Sequence, residues 1–208
     1  MGDLFARFLT SFVTLFSIVD PLSAVPLFLT LTKRNSLAET KAVMQKAVGV
    51  ACGILCAFAL LGSAIFSFFG ITPHAFQIAG GVLLFLVGLQ QVHANETRIS
   101  DEEKLDLTSR QDVSIFPLAF PILAGPGALS VVVLNASRNQ SFWDTALSLL
   151  VILLVMFASL IAFLLAPQLK KLLGQTGLSI IMRLGGIILI AIAVQFILDG
   201  IQGYLKIL

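Results

Sequence analysis

Six apolar runs follow one another along this 208-residue chain, and each is long enough to cross a lipid bilayer as a helix. A helix needs roughly 20 predominantly apolar residues to span the hydrocarbon core. Charged residues make up 12% of the chain, about half their share in soluble domains. The sequence therefore predicts an all-α integral membrane protein. Its six predicted spans cover residues 4–31, 43–69, 74–92, 113–135, 146–166 and 179–202.

The second half of the chain repeats landmarks of the first half 105 residues later, without a gap. The equivalent pairs are Pro21 and Pro126, Ser36 and Ser141, Thr40 and Thr145, Gly80-Gly81 and Gly185-Gly186, and Gln90 and Gln195. We therefore predict a three-helix repeat over 1–92, a cytoplasmic linker over 93–112 and a second three-helix repeat over 113–208. Because three spans is an odd number, the second repeat enters the membrane from the opposite side. Inverted repeats of this kind are common in secondary transporters; a duplicated bundle without a transport role is the alternative.

Positive charges are distributed unevenly between the two ends of the predicted spans. Ten Lys and Arg residues follow spans one, three and five, whereas only Arg7, Arg138 and Lys206 lie at the other face. The positive-inside rule places the larger group in the cytoplasm. We therefore expect a bacterial or archaeal inner-membrane protein with both termini outside.

Spans one and four are interrupted at equivalent depths, by Asp20-Pro21 and by Gly125-Pro126. Proline lacks an N–H and clashes with the carbonyl four residues earlier, so it ends a helix or begins a new one. We predict that both spans are discontinuous and restart near the middle of the membrane. Ordinary kinks that neighbouring helices repair are the alternative.

A half-helix that begins inside the membrane directs free N–H groups and the positive end of its dipole at a ligand. Small residues at both restarts allow a carboxylate or another small anionic group to approach the backbone. The candidate substrate-binding residues are Asp20, Leu22, Ser23 and Ala24 at the first break, and Gly125, Gly127, Ala128 and Leu129 at the second.

Asp20 is the only acidic residue that we place deep in the membrane, where a carboxylate is costly and by default a functional candidate. It either caps the following half-helix, or binds a substrate ammonium or a coupling cation such as H⁺ or Na⁺, or does both. Gln90, Gln195, Asn135 and Ser130 are candidates for a gate or a cavity lining, although interhelical hydrogen bonds account for the glutamines equally well.

Spans two and five start with the same helix-capping pattern. Ser36 precedes Glu39 by three residues, and Ser141 precedes Asp144 by three. A serine followed at this spacing by an acidic residue forms a capping box. The pattern predicts where both helices begin and carries no information about a ligand.

Three segments resemble motifs of the MarC family, also called the six-span neutral amino acid transporter family. Residues 20–32 resemble its first-helix motif, 78–86 its third helix and 116–128 its fourth-helix motif. The resemblance covers essentially the whole chain and implies a distant relationship to LysE-type exporters; some members move alanine and glycine. The family commonly has glycine where this chain has Ser23, whose side chain narrows the approach to the neighbouring amides.

These features predict a secondary transporter of small neutral amino acids, with the site between the two breaks and alternating access between the repeats. Half-helix amides would hold the carboxylate, and Asp20 or freed carbonyls the ammonium. Expected partners are the solute, a coupling H⁺ or Na⁺, the lipid bilayer and further copies of the chain, with no nucleic acid. We expect no enzymatic activity, cofactor or metal. The alternatives are an exporter of another small or drug-like solute, a channel, a divalent-metal exporter, or a thiol-redox carrier that uses Cys52 and Cys56.

Overall fold

The computed structural model describes residues 2–93, 112–138 and 141–206, so the predicted linker lies almost entirely outside the described residues. The described residues form helices and no strands. The helices are α1 (Gly2–Val19), α2 (Pro21–Leu31), α3 (Leu37–Phe69), α4 (Pro73–Val92), α5 (Ser114–Leu123), α6 (Pro126–Arg138), α7 (Phe142–Gly174) and α8 (Thr176–Leu205).

Within these residues, five helical segments are long and apolar enough to cross a membrane. They are the α1–α2 segment, α3, α4, α7 and α8. Helices α5 and α6 pass the same test only as a pair, which is bent by 56° at the residues between them. The predicted all-α membrane architecture is therefore confirmed, with five spans, or six when the bent pair is counted as one span.

Helix caps set the starts of spans two and five. The Ser36 hydroxyl accepts a hydrogen bond from the Glu39 N–H at 3.3 Å, and the Glu39 carboxylate accepts one from the Ser36 N–H at 2.7 Å. Ser141 likewise accepts a bond from the Asp144 N–H at 3.3 Å. Both predicted starts are confirmed. Helices α3 and α7 begin before the apolar runs, because the serine caps determine the first residue of each helix.

The helical run that begins at Phe142 is divided at Gly174, where φ is 64° and ψ is −176°. Glycine adopts positive φ without a steric penalty. This residue therefore separates spans five and six.

Helices α4 and α8 pack against each other in opposite directions. A methyl group added at Gly81 would lie 2.9 Å from the carbonyl oxygen of Ala193, and one at Gly88 would lie 2.9 Å from that of Gly186. Gly88 comes after Gly81 in α4, but its contact in α8, Gly186, comes before Ala193. The two helices are therefore antiparallel. Small residues permit such close backbone approach in lipid.

The half-helix α6 lies in the middle of the bundle, and its residues from Gly127 to Leu134 are all buried. Another part of the core joins the repeats through Phe28 of α2 and Phe163 of α7, whose ring centroids are 4.5 Å apart. Both half-helices that follow the predicted breaks are thus anchored in the protein interior.

Candidate functional site

Span one breaks at Asp20, between α1 and α2. The Asp20 backbone is left-handed, with φ 44° and ψ 64°, a conformation that Asp tolerates better than most residues. Pro21 follows as the first residue of α2, and the Asp20 carboxylate accepts a hydrogen bond from the Ser23 N–H at 3.3 Å. The predicted break and the predicted cap are both confirmed.

The polar groups at this first break face the backbone of α8. A methyl group added at Gly185 would overlap the Ser23 hydroxyl and lie 2.6 Å from Oδ2 of Asp20. The Ser23 residue is 5% exposed, and among the described residues its hydroxyl has no hydrogen-bond partner. A carboxylate and an unpartnered hydroxyl thus lie together beside a helix N-terminus. Of the adjacent candidates, Ala24 is buried and Leu22 is exposed.

Span four breaks more extensively, because prolines act at three points. Phe116 and Phe120 each precede a proline and have extended backbones, with φ/ψ of −125°/123° and −132°/130°. A proline disfavours the helical conformation of the residue before it, so α5 consists of wide, interrupted turns. A continuous helix resumes at Pro126, where α6 begins. The second predicted break is confirmed.

The space in front of the second break is occupied in this conformation. A methyl group added at Gly127 would overlap the side chain of Leu84, and one at Gly125 would overlap the carbonyl oxygen of Pro121. Ala128 and Leu129 are 2% and 7% exposed. The candidate residues are therefore brought together as a buried helix start, but Leu84 covers the backbone that the sequence led us to expect open to a ligand.

A glycine from the third helix of the other half of the chain packs at or near each break. Gly185 of α8 covers the Asp20 break, and Gly80 of α4 meets Ser130, just beyond the other break. The Ser130 hydroxyl donates a hydrogen bond to the Pro126 carbonyl at 2.9 Å. Ser130 is therefore a buried packing residue that bonds to its own helix.

A cavity of about 350 Å³, open to the surface, lies at the other end of α1, between α1, α6 and α7. The guanidinium of Arg7 lies 2.7 Å from Oδ1 of Asp144 at this cavity. The cavity is lined by Ala6, Arg7, Thr10, Ser11, Asn135, Asp144, Leu147 and Ser148. Asn135 lies at this cavity, which is distant from both breaks along the helices.

Sequence reasoning missed Arg7 and Asp144, which it treated as a terminal charge and a helix cap. The available signal was the spacing of Arg7, Thr10 and Ser11, which puts all three on one face of α1. The structure does not bring Gln90 or Gln195 to this cavity. Both are exposed, and Gln195 donates a hydrogen bond to Asp199 at 2.6 Å along α8.

These observations define an integral membrane protein with two broken transmembrane helices. The chain belongs to the MarC family of integral membrane proteins, whose family model matches residues 5–205. It is 39% identical to the UPF0056 membrane protein MJ1677 of Methanocaldococcus jannaschii, over 95% of this chain and 97% of the relative. It is 36% identical to a UPF0056 membrane protein of Aquifex aeolicus, over 99% and 97%.

A third relative is the UPF0056 membrane protein YvbG of Bacillus subtilis, 32% identical over 95% of each chain. These relatives come from bacteria and archaea, and their names describe membrane proteins and no enzyme. No solved structure matches the chain. The comparisons therefore support a membrane location and leave the function to be proposed.

Proposed function

We propose that this protein is an inner-membrane secondary transporter of small neutral amino acids such as alanine and glycine, working by alternating access between two inverted repeats. The observation that carries the proposal is the pair of half-helices α2 and α6. They begin at equivalent positions of the repeat, and the equivalent glycines Gly185 and Gly80 of the opposite halves pack against the first turns of α2 and α6.

Packing between the third helices supports the inverted arrangement. A methyl group added at Gly81 would lie 2.9 Å from the carbonyl oxygen of Ala193, and one at Gly186 would lie 2.8 Å from that of Gly88. Gly186 is the repeat equivalent of Gly81, and Ala193 that of Gly88, so the two contacts exchange when the halves are exchanged. A pseudo-two-fold axis in the membrane plane produces this relation.

Ion pairs join the two halves near both ends of the bundle. Arg7, near the start of span one, pairs with Asp144 of α7. Asp112, just before span four, pairs with Lys46 of α3. Arg7 and Asp112 are repeat equivalents with opposite charges. Alternating access requires contacts between the halves that break at one end of the molecule while those at the other end hold, and these pairs occupy suitable positions.

The chemistry of the breaks supports a zwitterionic solute. The N–H groups and positive dipole of α2 and α6 favour a carboxylate. The Asp20 carboxylate offers the complementary charge to an ammonium, or a site for the coupling H⁺ or Na⁺. We propose that Leu22, Ser23 and Ala24 line one side of the site and Gly125 to Leu129 the other. Because Leu84 covers Gly127, the second side becomes available only after α4 moves.

Counterflow in proteoliposomes tests this function. Vesicles loaded with unlabelled alanine should accumulate labelled alanine transiently and with saturation, as a carrier does, and glycine should compete. Asp20→Asn should abolish most of this exchange, whereas Asp199→Asn should not, because Asp199 is exposed on α8 away from both breaks. Non-saturable flux without counterflow would indicate a channel. Exchange of other solutes but of no amino acid would refute the substrate class.

A further inference from the structure

The cavity between α1, α6 and α7 is separate from the two breaks. Arg7 and Asp20 are separated by 13 residues of sequence, which corresponds to about 20 Å of helix. Six of the eight residues that line the cavity are polar or charged; the other two are Ala6 and Leu147. The cavity therefore has a different composition from the apolar surfaces that pack the rest of the bundle.

Polar side chains from three different helices converge on this space. Arg7 and Ser11 lie one turn apart on α1, Asn135 comes from α6 and Ser148 from α7. Serine, threonine and asparagine are common where membrane helices contact one another, so the unusual members of this set are the charged Arg7 and Asp144. Ionisable groups within membrane proteins face one another or a water-filled cavity. A volume of about 350 Å³ falls in the range of small-molecule sites and exceeds what a single water molecule needs.

The two charges at the cavity restrict the kind of solute that fits it. Arg7 and Asp144 neutralise each other across 2.7 Å, so a solute with net charge would leave one of them without a counter-charge. The loss of a partner is costly for Asp144, whose side chain is only 13% exposed. A solute with adjacent positive and negative groups replaces both partners at once. Asn135 and the Ser11 hydroxyl add neutral hydrogen-bonding groups, whereas the Ser148 hydroxyl already donates a hydrogen bond to the Asp144 carbonyl at 3.0 Å.

The two members of the ion pair differ in exposure in a way that suits solute entry. The Arg7 side chain is 55% exposed, whereas that of Asp144 is 13% exposed. Asp144 is also held in the first turn of α7, where it accepts a hydrogen bond from the Ser141 hydroxyl at 3.2 Å. Arg7 can therefore move aside without loss of core packing, while Asp144 stays in place as a fixed anion.

We propose that this cavity is a second binding site for a small zwitterion, separate from the breaks, at which the solute is held before or after passage. The solute carboxylate pairs with Arg7 and its ammonium with Asp144. Half-buried Thr14 and Ser17 continue the polar face of α1 from the cavity towards Asp20 at helical spacing. The identity of the solute rests on the proposed transport function; the location of the site rests on the cavity itself.

Protection of a cysteine placed in the cavity tests this assignment in the full-length protein in lipid nanodiscs. The native Cys52 and Cys56 are replaced by alanine, and Ser11→Cys is labelled with a membrane-impermeant thiol reagent. Saturating alanine should slow the labelling at least several-fold, whereas propionate and ethylamine, which carry one charge each, should not. Phe5→Cys is the matched control, because Phe5 lies on the same helix outside the cavity and is 66% exposed.

Arg7→Gln and Asp144→Asn should each raise the alanine concentration that gives half-maximal protection about tenfold or more, since each removes a charge-assisted contact. Lys41→Gln removes one exposed positive charge of α3 that lies outside the cavity and should leave that concentration unchanged. Two substitutions are used because Asp144 also belongs to the cap of α7, whereas Arg7 has no such role.

Unchanged protection in both cavity variants would overturn the proposal, as would equal protection by propionate or equal protection of Phe5→Cys. If the wild-type background exchanges alanine in vesicles but Ser11→Cys is not protected, this site is wrong and the proposed function stands. If alanine gives neither exchange nor protection, both are wrong.

Discussion

The close approach of Gly185 to the Asp20 break makes a specific prediction for Gly185→Ala. The added carbon would overlap the Ser23 hydroxyl and lie 2.6 Å from Oδ2 of Asp20, whereas ordinary carbon–oxygen contacts are about 3.3–3.6 Å. Helix α8 and the break must therefore separate by several tenths of an ångström or more. Overpacking of this kind costs about 1–3 kcal/mol.

This cost affects the stability of the folded protein less than it affects the equilibrium between conformations of the folded protein. Alanine favours a helix over glycine by about 1 kcal/mol, which offsets part of the destabilisation of the folded protein. That gain is the same in every conformation in which α8 is helical, so it does not offset the clash in the conformation described here. The population of this conformation, relative to others in which α8 has moved away, should fall roughly 5- to 150-fold.

Alanine counterflow and thermal unfolding of the same preparations separate these two effects. Gly185→Ala should lower counterflow strongly while the melting temperature changes little. Gly53→Ala in α3 is the control, because no described atom lies within 4 Å of the added carbon; it should leave counterflow unchanged and raise the melting temperature slightly, through helix propensity alone. Ser23→Gly in the Gly185→Ala background removes one of the two clashes and should restore part of the exchange. Wild-type exchange by Gly185→Ala, or equal damage by Gly53→Ala, would refute this explanation.

Three further predictions concern charge and topology. Asp20→Asn retains an oxygen that can cap α2, so it should insert and fold normally while counterflow falls far more than twofold; normal exchange would make the carboxylate structural. Hydrogen bonds from the Lys46 ammonium and then from Ser114 lower the pKa of Asp112 to about 2. The stability that this pair provides is present above the ordinary pKa of an aspartate, near 4, and is lost as the pH falls to about 2. Because both partners are largely exposed, we expect the pair to contribute at most about 1 kcal/mol to the free energy of unfolding. In thermal unfolding the wild type should therefore be slightly more stable than Asp112→Asn, and this difference should disappear as the pH is lowered. Impermeant labelling of intact cells should reach Phe5→Cys and not Lys41→Cys; the reverse pattern would overturn the predicted orientation.

Much of the fold could be predicted because its determinants are local in sequence. Apolar length identifies the spans, and serine caps identify the starts of α3 and α7. Asp20-Pro21 and Gly125-Pro126 interrupt their helices through steric effects that act within one turn. These signals need no knowledge of neighbouring helices, so the sequence and the structure agree on them.

The cavity and the cover over the second break depend on tertiary packing and could not be predicted in this way. Arg7 and Asp144 are distant in sequence, and their contact depends on how α1 lies against α7. The surroundings of Gln90 and Gln195 could not be predicted for the same reason. Their repeat equivalence is visible in the sequence, but the rotation of each helix decides whether a side chain faces a cavity or the outside.

Leu84 is the residue through which the second break can be tested, because its side chain covers the backbone of Gly127 and is 5% exposed. If the amides of α6 bind the solute, Leu84 must leave this position in each transport cycle. Leu84→Ala removes the cover but also costs packing, about 2–5 kcal/mol for a buried leucine. Leu55→Ala in α3 is the control for lost packing, because Leu55 is fully buried and lies outside both breaks. We expect both variants to lose thermal stability to a similar extent, and only Leu84→Ala to lower the alanine concentration that gives half-maximal counterflow. If the two variants impair exchange equally, the α6 amides are not part of the binding site, and the solute is bound by the Asp20 break alone.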